Sequence, residues 1–92
     1  MSEEFGFNIV VSTRLISDFT GVRHSSVVRT MRRLVSQGLI HQPEAREWST
    51  EKGHKKHDHL FTGEHGLRDA SKLVNSMPPE RVEKFVAGWN AY

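Results

Sequence analysis

The apolar residues alternate at the start of the chain, which predicts a strand as the first element. Further along the chain they recur at a helical period. In FNIVVS, residues 7–12, Phe7, Ile9 and Val11 fall on one side of an extended backbone. We therefore expect a short strand that presents one apolar side to the core.

A short helix, TRLISDF, is predicted directly after this strand. Ser12 precedes it, and serine commonly caps a helix N-terminus with its hydroxyl oxygen. Leu15, Ile16 and Phe19 recur at helical spacing and should face inward. Gly21 then breaks the helix, because glycine adopts the positive φ that a tight turn between two helices often needs.

The strongest helical pattern covers residues 25–37. We expect Ser25 or Ser26 to cap this helix. Its apolar face, at a period of about 3.6 residues, consists of Val27, Val28, Met31, Leu34 and Val35. Gly38 follows where a left-handed glycine commonly ends a helix, and Leu39 lies where the accompanying apolar contact falls.

The segment EAREWSTEKGHKKHDHLFT predicts a β-hairpin over residues 44–62. Its first strand is polar apart from Trp48, EKGHKK has the composition of a turn, and HDHLFT forms the returning strand. The hairpin directly follows the two helices in the chain.

Two further helices are predicted over residues 63–92. Thr62 is expected to cap the first, which carries Leu67, Ala70 and Val74 on one face and is weakened slightly by Gly66. Two prolines at 78–79 end that helix and begin the last one, since proline is tolerated in a first helical turn. The apolar stripe of the last helix consists of Val82, Phe85, Val86 and Trp89.

These elements predict an α+β fold that is mainly helical. A chain of 92 residues suits a single domain with one modest core. We divide that domain, residues 1–92, into a strand and helix-turn-helix (1–38), the hairpin (44–62) and two C-terminal helices (63–92). A helix-turn-helix followed by a β-hairpin is a winged-helix-like order.

The composition argues against cysteine chemistry, a membrane span and a secretory signal. There are no cysteines, which excludes disulfides, thiol catalysis and cysteine metal ligands. No apolar run approaches the roughly 20 residues that span a bilayer. The opening MSEEFGFNIVV lacks the basic and then apolar order of a secretory signal. We expect a cytoplasmic protein without a membrane partner.

Positive charge is concentrated in one segment, although the net charge is only +2. Residues 23–45 contain four arginines and a single acid, Glu44. A local field of this kind can attract an anionic partner.

The polar face of the second helix is the predicted DNA-binding site. At about 100° per residue, Arg29 and Arg33 lie nearly opposite the apolar centre of the helix. A short helix, a glycine turn and a second helix with a basic outer face predict a helix-turn-helix whose second helix enters the major groove. The predicted contact residues on this segment are Arg23, Ser26, Arg29, Thr30, Arg32 and Arg33. The alternative is an ordinary amphipathic helix whose arginines are merely solvated.

The hairpin offers a second group of DNA contacts. Lys52, Lys55 and Lys56 at its tip are placed to touch phosphates if the hairpin serves as a wing. Solubility alone also selects lysines at an exposed hairpin tip, so both interpretations stand.

The C-terminal aromatic residues have two interpretations as well. Val82 and Phe85 are expected to close the core, which in a small domain needs every apolar residue. Phe85, Trp89 and Tyr92 are also the predicted partner or dimer interface, because aromatic residues are favoured interface anchors. We expect a homodimer or a higher homo-oligomer.

Metal binding and catalysis find little support. His57 and His59 share one side of a strand, with Asp58 on the other, but a metal site would still need a carboxylate or a distant histidine such as His41 or His65. His24 is expected to cap or pack at the turn. There is no serine nucleophile elbow and no glycine-rich phosphate loop. We expect no metal, no cofactor and no enzymatic activity.

The order of motifs resembles one family of phage proteins. VVSTRLISDFTGVRHSSVVRTMRRLV resembles the N-terminal segment of the Rha-type phage regulatory proteins, with its pattern S-R-x-I-A/S…G-x-x-H-x-x-V-x-R-x-I-R. The matching positions are Ser12, Arg14, Ile16, Gly21, His24, Val27, Arg29 and Arg32. HLFTGEHGLRDASKLV resembles a later stretch of the family, and ERVEKFVAGWNAY its closing helix, with an aromatic residue and asparagine near Trp89 and Asn90.

The resemblance implies a temperate-phage or prophage regulator that acts in the cytoplasm of a bacterial host cell. We expect a transcriptional regulator that binds double-stranded DNA through the basic helix. The alternative is an antirepressor, which binds and inactivates a phage repressor protein without contacting DNA. Family members usually continue beyond the position of Tyr92, and the hairpin region here is divergent, so the resemblance leaves both roles open.

Overall fold

The computed structural model describes residues 10–91. In that range the chain has an α+β fold of four helices and a three-stranded antiparallel sheet. The elements are β1 (Val11–Ser12), α1 (Thr13–Thr20), α2 (His24–Ser36), β2 (Glu44–Ser49), β3 (Lys55–Phe61), α3 (Gly66–Asn75) and α4 (Pro79–Ala91). The predicted strand positions Phe7 and Ile9, and the predicted interface residue Tyr92, lie outside the described residues.

The first helix begins at Thr13, as the sequence predicts, and ends one residue later than predicted, at Thr20. The hydroxyl oxygen of Ser12 accepts a hydrogen bond from the backbone N–H of Leu15 at 3.0 Å, which caps α1. Gly21 follows the helix with φ of 75°. Ile16 is fully buried, as expected, whereas Leu15 and Phe19 are half-buried at the edge of the core.

The second helix confirms the predicted apolar face and corrects its start. Val27, Val28, Met31 and Leu34 are buried. The helix begins at His24, with Arg23 at the N-cap and no side-chain cap. The prediction that Ser25 or Ser26 caps it is therefore wrong. Both serines lie inside the first turn, where the N–H of Ser26 already donates to the Arg23 carbonyl.

Gly38 ends α2 as predicted, but Leu39 does not make the buried contact. The N–H of Gly38 donates to Val35 O and that of Leu39 to Leu34 O, both at 3.0 Å, which is the Schellman pattern. Gly38 has φ of 73°, where a side chain is strained. Leu39 is 51% exposed, and Ile40 enters the core in its place.

The predicted hairpin is present as β2 and β3, joined by a turn at residues 50–54. Strand β3 is the centre of the sheet, whose order is β1-β3-β2. Val11 pairs with Phe61 on one side of β3, and Glu44 pairs with Leu60 on the other. The hairpin is thus attached to the strand that leads into α1.

Helix α3 begins later than predicted and buries a different face. Thr62 is exposed and does not cap it, since the helix begins at Gly66. A Cβ on Gly66 would lie 2.8 Å from the Phe61 backbone, so the chain needs glycine where helix and strand meet. Leu67, predicted to face inward, is 37% exposed. The buried positions of α3 include Asp69, Ala70, Leu73 and Val74.

Helix α4 starts at the second proline, as predicted, and covers the core without any fully buried residue. Val82, Phe85 and Trp89 pack against the core, whereas Val86 is 48% exposed. The Phe85 ring meets Phe19 edge-on, with ring centroids 5.8 Å apart, and stacks on Trp89 at 5.9 Å. No helix within residues 10–91 has the length and apolarity needed to cross a membrane.

Candidate functional site

The predicted DNA-binding residues of α2 lie on its outer side. Arg29, Arg32 and Arg33 are exposed, Ser26 and Thr30 are half-buried, and Arg23 is exposed at the N-cap. In the described part of the chain, none of these arginines forms an ion pair with a carboxylate. The buried valines, Met31 and Leu34 on the opposite side fix the helix to the core. The outer side is therefore rigid in position and positively charged.

A groove separates α2 from the hairpin, and the sequence did not reveal it. Its first cavity, of about 440 Å³, is lined by Ser25, Val28, Arg29, Arg32 and His57. An adjoining cavity of about 320 Å³ is lined by Arg32, Ala45, Arg46, Glu47, His57, Asp58 and His59. Arg32 and His57 line both, so the two cavities adjoin, and we refer to them together as the α2–hairpin groove.

The three predicted hairpin lysines do not share one surface. Lys52 lies in the turn, and Lys55 and Lys56 are the first residues of β3, all of them exposed. Successive strand residues point to opposite faces. Lys55 therefore shares the strand face of His57, which lines the groove, whereas Lys56 shares the face of Asp58.

Asp58 is the buried centre of the contacts that join the hairpin to the first helix. It is only 2% exposed. Its Oδ1 accepts hydrogen bonds from the Thr13 hydroxyl at 2.7 Å, from the Arg14 N–H at 3.1 Å and from the His59 N–H at 2.9 Å. Arg46 approaches the other oxygen at 3.4 Å. A carboxylate at the first turn of α1 also complements the positive end of the helix dipole.

These contacts decide the ionisation of Asp58. Burial by itself raises the pKa of this carboxyl group. The hydrogen bonds from Thr13 and from the backbone N–H groups of Arg14 and His59, together with nearby His24, outweigh burial, so the pKa lies below its ordinary value. Asp58 is ionised at neutral pH and stabilises the junction as a carboxylate.

His24 joins α2 to the same junction. Its Nε2 lies 2.8 Å from the Thr13 hydroxyl oxygen. Because the single Thr13 hydroxyl proton is donated to Asp58, His24 must donate from Nε2. This confirms the expectation that His24 packs at the turn. Burial and the charge of Arg14 lower its pKa, so the ring is neutral at neutral pH.

His59 is a second neutral histidine beside the groove. It is 7% exposed, and its Nδ1 has no hydrogen-bond partner among the described residues. Burial and the charge of Arg32 lower its pKa. His57 and His59 share one side of β3, as predicted, with ring centroids 6.3 Å apart.

Two guanidinium groups flank the Trp48 ring on the other face of the hairpin. Arg46 lies 5.1 Å and Arg14 5.7 Å from its centroid. The Arg14 side chain also donates to the His57 carbonyl at 3.0 Å. Arg14 therefore connects the hairpin to α1, whereas Arg46 also lines the adjoining cavity of the groove.

A second polar pair, Asp69 with His41, was missed by sequence reasoning. Buried Asp69 accepts hydrogen bonds from the His41 ring at 2.8 Å and from its backbone N–H at 3.1 Å. The His65 ring stacks on His41 at 4.3 Å. Within residues 10–91, no three histidine or carboxylate side chains are grouped to hold a metal ion. No sequence pattern signals this pair, because its members are 28 positions apart.

The predicted interface residues Phe85 and Trp89 lie at an apolar surface between α3 and α4. They line a cavity of about 330 Å³ together with Val11, Leu67, Ala70 and Ser71. Both aromatic side chains are half-buried and pack against the core. They close the core and also reach the surface.

Comparisons of the chain with protein families, with curated proteins and with solved structures find no match.

Proposed function

We propose that the protein is a small transcriptional regulator that binds duplex DNA, with α1 and α2 as a helix-turn-helix and α2 as the recognition helix. The observation that carries this proposal is the set of exposed arginines on α2, which lack carboxylate partners in the described chain. Three residues, 21–23, connect α1 to α2, a length typical of a helix-turn-helix.

The chemistry of arginine suits this role. A guanidinium group donates two parallel hydrogen bonds, which match the O6 and N7 atoms of guanine or the oxygens of a phosphate. Arg33 and Arg29 are four residues apart and project from the same side of α2. A helix in the major groove would bring both to the DNA.

The hairpin is proposed as the wing. It lies beside α2 across the groove, and its exposed lysines lie in the turn and at the start of β3. The Asp58 junction supports this arrangement, because it ties β3 to the start of α1 and, through His24, to the start of α2. The two basic surfaces would then bind DNA as one unit.

The second candidate is the antirepressor, which would bind a phage repressor protein through the surface of α3 and α4. The observation in its favour is that Leu67 and Val86, 37% and 48% exposed, extend the apolar surface around Phe85 and Trp89. Exposed apolar patches mark protein interaction sites. The same surface would serve a homodimer, since a dimer interface is built from one patch on each copy.

The phage setting rests on the residue pattern shared with the Rha-type proteins. With it we propose a temperate-phage or prophage regulator that acts in the cytoplasm of a bacterial host. The DNA-binding proposal itself depends on the arginines and their geometry, and it stands without this family assignment.

The test is binding of a fluorescent duplex of mixed sequence at low salt, measured by anisotropy, beside capture of a candidate repressor. The DNA-binding proposal predicts saturable binding that weakens steeply as salt rises. Capture of a repressor together with failure to bind duplex at low salt would favour the antirepressor. In that case Val86→Lys should abolish capture, while the exposed control Lys84→Ala should leave capture unchanged.

A further inference from the structure

The end of the α2–hairpin groove nearest the start of α2 is lined by hydrogen-bond donors and lacks carboxylates. Ser25, Arg29 and Arg32 line it from α2, and His57 lines it from β3 across the cavity of about 440 Å³. Residues three and four apart on a helix are neighbours, so the hydroxyl and the two guanidinium groups follow one another along the same side of α2. Val28 supplies an apolar floor.

The acids of the groove lie at its other end. Glu47 and Asp58 line the adjoining cavity, together with Arg46. Asp58 is already bonded to Arg46 and Thr13, whereas Glu47 is the Cα partner of His57 in the β2–β3 register and therefore shares its hairpin face. The other histidines near His57 are His24 and His59. Both rings are neutral at neutral pH, so neither adds a charge to the groove. The residues that line the first cavity include two arginines and no carboxylate.

We infer that this cavity binds a single phosphate group, held by Arg29 and Arg32 of α2 and by His57 of β3. Arginine forks bind phosphate oxygens in pairs, and the Ser25 hydroxyl offers a further donor. Of the residues that line the cavity, only Ser25 belongs to the first turn of α2, so the two guanidinium groups are its main donors. The ligand is a phosphodiester of the DNA backbone, so its identity rests on the proposed function.

This site divides the arginines of α2 into two groups. Arg29 and Arg32 line the groove, whereas Arg23 and Arg33 do not. A phosphate clamped between helix and hairpin would fix the depth and rotation of α2 on the duplex. Arg33 would then be left to contact base edges.

Inorganic phosphate tests the site without DNA. In the free protein at neutral pH, phosphate should shift the ring resonances of His57 saturably in an NMR titration, whereas chloride at equal ionic strength should not. Arg32→Ala should weaken this binding at least tenfold, and Arg68→Ala, an exposed arginine of α3 outside the groove, should leave it unchanged. No saturable shift, or equal phosphate binding by Arg32→Ala, would overturn the site. If Arg32→Ala fails to fold, His57→Ala is the second variant. Its phosphate binding is then followed through the ring resonances of His24.

Binding of a mixed-sequence duplex distinguishes a DNA phosphate from a free phosphate as the ligand of this site. The Arg29→Ala/Arg32→Ala double variant should reduce the slope of log affinity against log salt by about 0.9, the value for one lost phosphate contact, while Arg68→Ala keeps the parent slope. A protein that binds phosphate but no duplex would support the site, with a free phosphate as its ligand, and refute the proposed function. Duplex binding with an unchanged slope and no phosphate effect on His57 would refute the site alone.

Discussion

Two surfaces of the molecule differ in whether their proposed binding residues also stabilise the fold. The first surface is formed by α2 and the hairpin, and the second by α3 and α4. On α2, the exposed arginines project away from the core, and buried residues such as Val27 and Met31 hold the helix in place. On α4, Phe85 and Trp89 both reach the surface and pack against the core. The proposed binding residues are thus separate from the core residues in the first region and are shared with the core in the second. Substitution of the arginines on α2 should therefore affect binding alone, whereas substitution of Phe85 or Trp89 should affect binding and stability together.

The largest stability effect is expected from Asp58→Ala, which removes the junction that positions the hairpin. The Thr13 hydroxyl, itself fully buried, and the Arg14 N–H would lose their acceptor, and the His59 N–H would keep only the Thr13 hydroxyl oxygen. We expect the free energy of unfolding to fall by about 3 kcal/mol, since breaking a buried charged contact is strongly destabilising. Urea unfolding measures this, with exposed Glu47→Ala as the control. A loss no larger than that of the control would show that the junction does not hold the hairpin.

Phe85→Ala should have the next largest effect and is the test of the α4 surface. It removes the edge contact with Phe19 and the stack on Trp89. Because the ring is only half-buried, we expect a loss of about 2 kcal/mol, below the range for a fully buried phenylalanine. Val86→Ala, exposed on the same helix, should stay within about 0.5 kcal/mol. Equal losses for the two variants in thermal unfolding would contradict the assigned packing.

Helices α1 and α2 were predictable because the residues that determine their ends are local. Ser12 caps α1 three residues away, and Gly38 ends α2 through contacts within five residues. The exposed arginines followed from the helical period alone. The start of α3 was not predictable, because it depends on the packing of Gly66 against the Phe61 backbone.

The groove and its polar junction could not be predicted, because they depend on contacts between distant segments. Thr13 and Asp58 are 45 positions apart. Asp58 and His59 sit in a polar strand whose sequence suggests full exposure, yet both are buried. His57 enters the candidate site only because the hairpin folds back beside α2.

Stability should fall as the pH drops below neutrality, and the hairpin junction should account for much of that change. His24 and His59 have pKa values below the ordinary 6.5, so the unfolded chain binds more protons than the folded chain in mildly acidic solution. Their contribution is complete above pH about 6.5 and is lost as the pH falls through their folded pKa values. Because the pKa of Asp58 lies below its ordinary value of 3.8, protonation of this carboxylate lowers the free energy of unfolding further in strongly acidic solution.

Urea unfolding between pH 7.5 and 5 measures the histidine contribution. His59→Gln should make the free energy of unfolding less dependent on pH, and His54→Gln in the exposed turn should not. Stability that rises as the pH falls would contradict the neutral state assigned to these two rings.

Gly38→Ala should have the smallest effect. No atom lies within 4 Å of the added Cβ, so the variant isolates the backbone strain at φ of 73°. We expect a loss of about 1 kcal/mol. Differential scanning calorimetry measures the loss, and Gln37→Ala, whose φ of −86° suits alanine, is the matched control. An unchanged melting temperature in Gly38→Ala would show that the end of α2 relaxes.

The most direct test of the account is a salt titration of duplex binding for the parent protein and for the Arg29→Ala/Arg33→Ala double variant. The control, Arg68→Ala/Lys84→Ala, removes the same charge from exposed positions on α3 and α4. We predict that the α2 double variant unfolds within about 1 kcal/mol of the parent but binds duplex at least tenfold more weakly and with a shallower salt slope. The control should bind nearly as the parent does. Equal duplex affinity of the parent and the α2 double variant, or no duplex binding by the parent at low salt, would contradict the claim that the outer side of α2 binds DNA.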